Sequence, residues 1–332
     1  MDMVLLLTVL IVVFAVIFDF INGFHDTANS IATAVSTKAL KPRHAIMLAA
    51  IMNFVGALAF TGVAKTITKD IVDPFTLPNG TVVILAALLA AIVWNLITWY
   101  YGIPSSSSHA LIGSIAGAAI AAAGFSALNY GGFLTILQAL ILSPILAFAV
   151  GYLVYSIFKI VFKNNNLTKT NRNFRLIQIA TAALQSFSHG TNDAQKAMGI
   201  ITMALIVNNY QASDDVQFWV QATCATAMAL GTSIGGWRII KTVGGKIMKI
   251  RPVNGVAADL TGAAVIFGAT LIHLPVSTTH VISSSIMGVG ASHRLKGVKW
   301  GTAKTMLITW LITMPISALL AAGIYFILNI FL

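Results

Sequence analysis

Apolar stretches of about 20 residues recur along the whole chain, the length a helix needs to cross roughly 30 Å of hydrocarbon. The first runs from Met3 to Phe20 with Asp19 as its only charge. This pattern specifies a polytopic helical membrane protein. Of 332 residues, 58% are hydrophobic and only 9% charged, whereas a soluble domain carries about 25% charged residues. No polar stretch is long enough to make a soluble domain. The opening "MDMVLLL" lacks a basic region and a small-residue cleavage site, so it is expected to be retained. A single cysteine, Cys224, excludes an internal disulfide.

A net charge of +11 could suggest nucleic acid, but its placement excludes that. Of the 20 Lys and Arg residues, 17 fall in Lys38 to Arg43, Lys159 to Arg175, Arg238 to Arg251 and Arg294 to Lys304. The other connections hold Lys65 and Lys69 beside Asp70 and Asp73, or Asp214 and Asp215 alone. Basic loops stay in the cytosol, so a multi-pass cell-membrane protein with both termini outside is expected. The basic clusters also suit anionic lipid headgroups of the bilayer.

The chain repeats itself. Gly23 and Asp26 match Gly190 and Asp193 at an offset of 167, and "GIPSSSSH" (102–109) matches "HLPVSTTH" (273–280) at 171. This reads as a tandem duplication: residues 1–162, a basic cytosolic linker 163–175, and residues 176–332. Each half is predicted to hold a long motif-bearing helix, a plain span, a two-part segment around the Pro-Ser tip, and a closing span. The first-half segments are 3–37, 44–64, 81–124 and 133–158. Those of the second are 176–206, 217–236, 255–292 and 305–331. As one helix, 3–37 would be about 52 Å long, so it must tilt or break, with Asn22-Gly23 as the expected break. The tips carry no Lys, Arg, Asp or Glu, which suits backbone buried at membrane depth and hence re-entrant hairpins. Each half then crosses an odd number of times, and the halves are inverted. Inverted repeats with broken helices point to a secondary transporter.

The chemistry gathers at four motifs. In each hairpin, Pro and hydroxyl residues open the second helix, where free amides and the positive dipole end favour an anion. The glycines before "HDT" and "TNDA" are expected to start two more half-helices. Ser105, Ser106, Ser107, Ser108, Ser277, Thr278 and Thr279 add hydroxyls, with Thr27, Asn29, Thr191 and Asn192 beside the acids. Single hydroxyls in membrane helices often only bridge helices, but the duplicated runs favour a site. Asp26 and Asp193 would repel an anion and mark a cation or proton path. A cation on the acid makes anion entry tolerable, as a symporter requires. Asn22 and His25 are candidates for ion coupling with them. Lys196, three residues past Asp193, either neutralises it or meets the substrate. For His25, His109, His189 and His280, a neutral ring bonded to backbone competes with a proton-relay or metal-contact role. Asp259 follows a basic cluster and reads as interfacial or as a site residue.

The motifs "GFHDTANSIAT", "SHGTNDAQKAMG", "GIPSSSSHALIG" and "PVSTTH" resemble the inorganic phosphate transporter (PiT) family over essentially the whole chain. The resemblance implies an all-α polytopic inverted-repeat bundle binding phosphate near the midplane with a cation. The family signature is close to G-x-N-D-x-x-N. Here His25 replaces the first Asn and Lys196 the last of the second copy. These forms resemble the bacterial low-affinity branch, which implies proton symport, partly of a neutral metal–phosphate complex with a divalent metal as cargo. Some relatives carry sulfate. No cofactor and no resident metal are expected, and a homodimer is compatible with the chain.

Three rivals follow from the same residues. A sodium-coupled phosphate or sulfate permease keeps the fold, but a protonated phosphate oxygen can donate to an aspartate where sulfate cannot. An anion channel does not need buried acids in two halves. An intramembrane hydrolase built on Ser108 and His109 fails because helix neighbours do not face each other. The chain is not expected to be an enzyme.

Overall fold

The computed structural model describes residues 3–73, 75–164 and 167–332. Twelve α-helices build the described residues, with only an isolated bridge between Val72 and Leu128 in extended pairing. The first half opens on α1 (Met3–Ser36), followed by α2 (Pro42–Ala57) and α3 (Gly62–Lys69). A hairpin of α4 (Gly80–Tyr101) and α5 (Ser107–Ala123) comes next, and α6 (Tyr130–Val161) closes the half. The second half repeats that order. Its helices are α7 (Leu167–Val207), α8 (Phe218–Ile234), α9 (Trp237–Gly245), the hairpin of α10 (Pro252–Leu271) and α11 (Thr278–His293), and α12 (Trp300–Phe331). Among the described residues, five helices are long and apolar enough to span a bilayer, and the bent pair α2–α3, taken as one span, makes a sixth. On α6 and α12, Ile141, Leu311 and Leu319 are exposed, as a lipid-facing surface requires. The chain is a multi-pass membrane protein.

Contacts come in pairs that exchange the halves. Helix α1 packs on α8 as α7 packs on α2, and α5 packs on α12 as α11 packs on α6. Each hairpin therefore leans on the other half's closing helix.

Two expectations are corrected. The expected break at Asn22-Gly23 is absent, and α1 and α7 run unbroken through both glycines. The glycines serve helix crossing instead. A Cβ on Gly23 would strike the Met228 carbonyl of α8, and one on Gly231 would strike the Phe20 carbonyl of α1. Gly56 of α2 and Gly190 of α7 face the Phe187 and Asn53 carbonyls in the same way. The contact recurs on the hairpins: Gly113 and Gly117 of α5 meet Met314 and Ala318 of α12, and Gly288 of α11 meets Phe148 of α6. Small residues let membrane helices approach to backbone contact. The expected plain span 44–64 is instead the pair α2–α3, bent by 69°.

The hairpin tips share one closure. Gly102 ends α4 in the left-handed region (φ 65°), its amide and that of Ile103 bonding back to Trp99 and Thr98. His273 takes the same conformation at the second tip (φ 60°), with His273 and Leu274 bonding back to Thr270 and Ala269. Pro104 and Pro275 follow, and from there the chain is buried into the next helix.

Candidate functional site

Ser106 and Ser277 are the N-caps of α5 and α11, accepting from the amides of His109 and His280. Extended backbone at the cap and a hydroxyl that reaches the third amide make this the preferred helix start. The next residues then project from the first turns into the bundle, where α1 and α7 present their acids.

Both carboxylates of the duplicated motif are buried and met by hydroxyls from the tips. Ser107 Oγ donates to Asp26 Oδ2 (2.8 Å), and its counterpart Thr278 Oγ1 donates to Asp193 Oδ2 (3.2 Å). Thr279 Oγ1 crosses between the halves to Asp26 Oδ1 (2.9 Å). Asn29 Nδ2 donates to Asp26 Oδ1 (3.1 Å) and to Thr279 Oγ1 (2.8 Å). At the equivalent position Lys196 donates to Asp193 Oδ1 (2.6 Å), with neither side chain exposed. An amide in one half and an ammonium in the other thus hold the aspartate of their own half. His25 Nδ1 stands 3.0 Å from Asp26 Oδ1, and His189 Nε2 stands 3.3 Å from Asp193 Oδ2.

The acids also meet each other. Among the described residues, ligand atoms of Asp26, His189 and Asp193 all lie within 4.8 Å of one another. These are the side chains whose spacing could share a cation. The sequence spacing did not reveal this grouping, because it depends on α1 and α7 crossing at their motifs.

The remaining expected residues divide by role in the packing. Ser105 Oγ donates to Thr98 Oγ1, and Ser108 Oγ donates to the Val276 carbonyl, tying the two tips together. Asn192 holds the second tip, donating to Thr270 and Leu274 and accepting from the Val276 amide. Thr191 Oγ1 donates to the Ser188 carbonyl and meets Thr270 Oγ1. Asn22 is buried with both amide atoms unpartnered. The side chain of Thr27 lies outside the described residues. His109 and His280 do not join the acids. Their rings lie 4.4 Å apart, and His280 stacks on Trp310 at 4.0 Å.

Asp259 lies inside the bundle, between α1 and α7. It is 2% exposed and accepts from Thr33 Oγ1 of α1 (2.6 Å) and Thr181 Oγ1 of α7 (3.1 Å). Thr33 and Thr181 belong to two buried polar stripes, of which Thr33, Gln178, Thr181 and Gln185 were missed in the sequence. On α1 the stripe is Asp19, Asn22, Asp26, Asn29 and Thr33; on α7 it is Gln178, Thr181, Gln185, His189 and Lys196. Their three- and four-residue spacing places each set on one helical face.

Comparison with known proteins agrees with this geometry. The family described as "Phosphate transporter family" matches residues 22–172 and 162–321. A probable low-affinity inorganic phosphate transporter of Bacillus subtilis (strain 168) is 78% identical over 330 residues, 99% of each chain. One of Rhizobium meliloti (strain 1021) is 46% identical over 314 residues, 94% of this chain and 93% of its own. A solved structure described as "The sodium-dependent phosphate transporter" superposes with a TM-score of 0.87 at 26% identity, covering 98% of this chain and 100% of that one. Its length, its buried acids and these relatives agree: the chain belongs to the phosphate transporter family.

Proposed function

We propose that this chain is a secondary active symporter that takes up inorganic phosphate with protons as the coupling ion. The halves are inverted about the crossing of α1 and α7, the basic loops face the cytosol, and both termini lie outside. The observation that carries the reading is the meeting of Asp26 and Asp193 with Ser107, Thr278 and Thr279. Hydroxyls and the first amides of α5 and α11 are anion donors, yet here the hydroxyls are turned onto carboxylates. Protonating an aspartate frees its hydroxyl partners for phosphate oxygens and removes the repulsion. Phosphate and proton then bind together or not at all, which is coupling. Lys196, Asn29, Asn192, Thr191 and the serines 105–108 and 277 complete or brace the site, with Asn22 and His25 beside Asp26.

The rival reading is sodium coupling, favoured by the likeness to a solved transporter that is sodium-dependent by name. The proton reading draws on Lys196: its ammonium already balances Asp193, where Na⁺ would meet repulsion. Phosphate is favoured over sulfate because a protonated phosphate oxygen can donate to Asp26. A metal–phosphate complex is a second form of cargo, for which Asp26, His189 and Asp193 supply the spacing.

The test is phosphate uptake by proteoliposomes under separately imposed proton and Na⁺ gradients, with and without Mg²⁺. Accumulation is expected with an acid outside and no change when K⁺ replaces Na⁺. A need for Na⁺ at fixed pH refutes the proton reading and leaves the anion site standing.

A further inference from the structure

Seven residues before Asp26 on α1, about 10 Å along the helix, Asp19 is fully buried. Neither of its carboxylate oxygens has a hydrogen-bond partner among the described residues. A charge left so carries the whole desolvation cost of a buried ion, and a neutral acid carries far less. One turn on, Asn22 is buried as well, and its amide atoms have no hydrogen-bond partner among the described residues. On α4, a turn before the Thr98 that meets His25, Asn95 is likewise buried with both amide atoms unpartnered. Polar groups with nothing to bond gather here, toward the end of the bundle that bears Asp214 and Asp215.

The charged surroundings are few. From α7, Asp193 and Lys196 both lie within electrostatic reach of Asp19, and from α8 so does Cys224. Helix α4 has no ionisable side chain before Tyr100. Asp259 of α10 meets α1 only at Thr33, beyond Asp26, and the basic residues of α2 and α9 lie toward the opposite end. Among the described residues, Lys196 is therefore the single fixed cation within reach of both Asp19 and Asp193.

We propose that Asp19 loads a further coupling proton, beside the one taken by a site aspartate, and that it acts on the phosphate site through Lys196. The proposal rests on the proton-coupled reading above. A proton from water adds to a carboxylate oxygen of Asp19, giving a neutral acid, and leaves by breaking the same O–H bond. While Asp19 is protonated, Lys196 stays on Asp193, the arrangement found here at 2.6 Å. Once the proton leaves, Asp19 is a second anion competing for the same ammonium. Lys196 is drawn away, and Asp193 loses the charge that balances it. Loading at Asp19 and phosphate retention at Asp193 are thereby linked without direct contact.

Asp19→Asn in the full chain fixes the position in a neutral form. Reconstituted in proteoliposomes, it is compared with the wild type in two assays. The first is exchange of labelled phosphate at equal pH on both sides. The second is accumulation under an acid-outside gradient, worth about tenfold per pH unit for each coupled proton. Exchange is expected to persist in Asp19→Asn while accumulation falls by about tenfold per pH unit of gradient. Asp19→Glu is expected to restore accumulation with a displaced pH profile. Accumulation by Asp19→Asn at the wild-type level overturns the proposal, as does loss of both activities in Asp19→Asn and Asp19→Glu alike. The two readings fail differently. A wild type driven by Na⁺ and indifferent to pH removes the proton-coupled reading and Asp19 with it. A proton-driven wild type with a fully active Asp19→Asn removes Asp19 alone.

Discussion

Lys196 is among the largest fully buried side chains of the described residues, and among these its charge is met by Asp193 alone within hydrogen-bond distance. Removing one member of a buried ion pair strands the other, at a cost of about 3–5 kcal/mol. Lys196→Met should therefore lower the melting temperature of the purified protein strongly. Asp193→Asn with Lys196→Met should recover much of that loss, because no unpaired charge remains. A double variant no more stable than Lys196→Met would show that the pair contributes little. On transport, Asp26→Asn and Asp193→Asn are each expected to abolish gradient-driven phosphate uptake, Asp26→Asn with the fold kept and Asp193→Asn with the stability loss of a stranded Lys196. Near-wild-type uptake in both would separate them from coupling. These acids and Lys196 were legible in the sequence because a charge inside an apolar run is conspicuous and was duplicated. Gln178, Thr181, Gln185 and Thr33 were not, since uncharged polar residues in a helix disclose a shared face only through their spacing.

At the scale of the helix, the glycines carry the correction. In sequence, Gly23 before "HDT" reads as a break, because glycine tolerates conformations that end helices. Two unlike jobs, ending a helix and admitting a neighbour's backbone, select the same residue, and only the opposing carbonyl distinguishes them. Gly231→Ala should destabilise the protein by about 1–3 kcal/mol, since α1 must shift to admit the methyl group. Gly268→Ala, on α10 with nothing within 4 Å of the added carbon, should be neutral or gain up to about 1 kcal/mol from helix propensity. Equal melting temperatures for the two variants would refute the packing role. The hairpins were legible because Pro, hydroxyl runs and the absence of charge all mark the same tips. The α2–α3 bend was not, because "FTG" lies in a short run that a straight span absorbs equally well.

Another element-level contact joins the halves through ion pairs. Lys65 meets Asp215 (2.5 Å) and Lys69 meets Asp214 (2.7 Å), linking α3 to the α7–α8 connection. The hydrogen bond from Lys69 holds the Asp214 carboxyl below its ordinary value, and Lys65 does the same for Asp215. A carboxylate lowered in the folded state stabilises it above the unfolded value, and that contribution is lost as pH falls through the lowered one. Amides of 211–217 should then exchange with solvent faster as pH drops below about 4, after correction for intrinsic exchange. High salt at neutral pH should act in the same direction, because exposed pairs are screened. Protection unchanged by both treatments would mean the pairs do not hold the connection.

Across the whole molecule, the duplication seen in the sequence reappears as paired contacts: α1 with α8 and α7 with α2, α5 with α12 and α11 with α6. What the sequence could not give was partner choice, because nothing in one half's residues says that its hairpin will lean on the other half's closing helix. Those pairs also share one kind of contact, glycine against a neighbour's main chain. Main chain pressed on main chain has no side chains to re-rotamer and no slack to slide, so each pair behaves as a single stiff plank. Sliding is left to the seams between planks, such as α1 against α4 and α7 against α10, which side chains line. The residues beside Asp26 and Asp193, His25 and Asn192, bond across these seams to Thr98 of α4 and Thr270 of α10. An opening that exposes the two acids to water on either face is thus a tilt of whole planks about the crossing of α1 and α7, with the tip serines and threonines travelling as cargo on the edges.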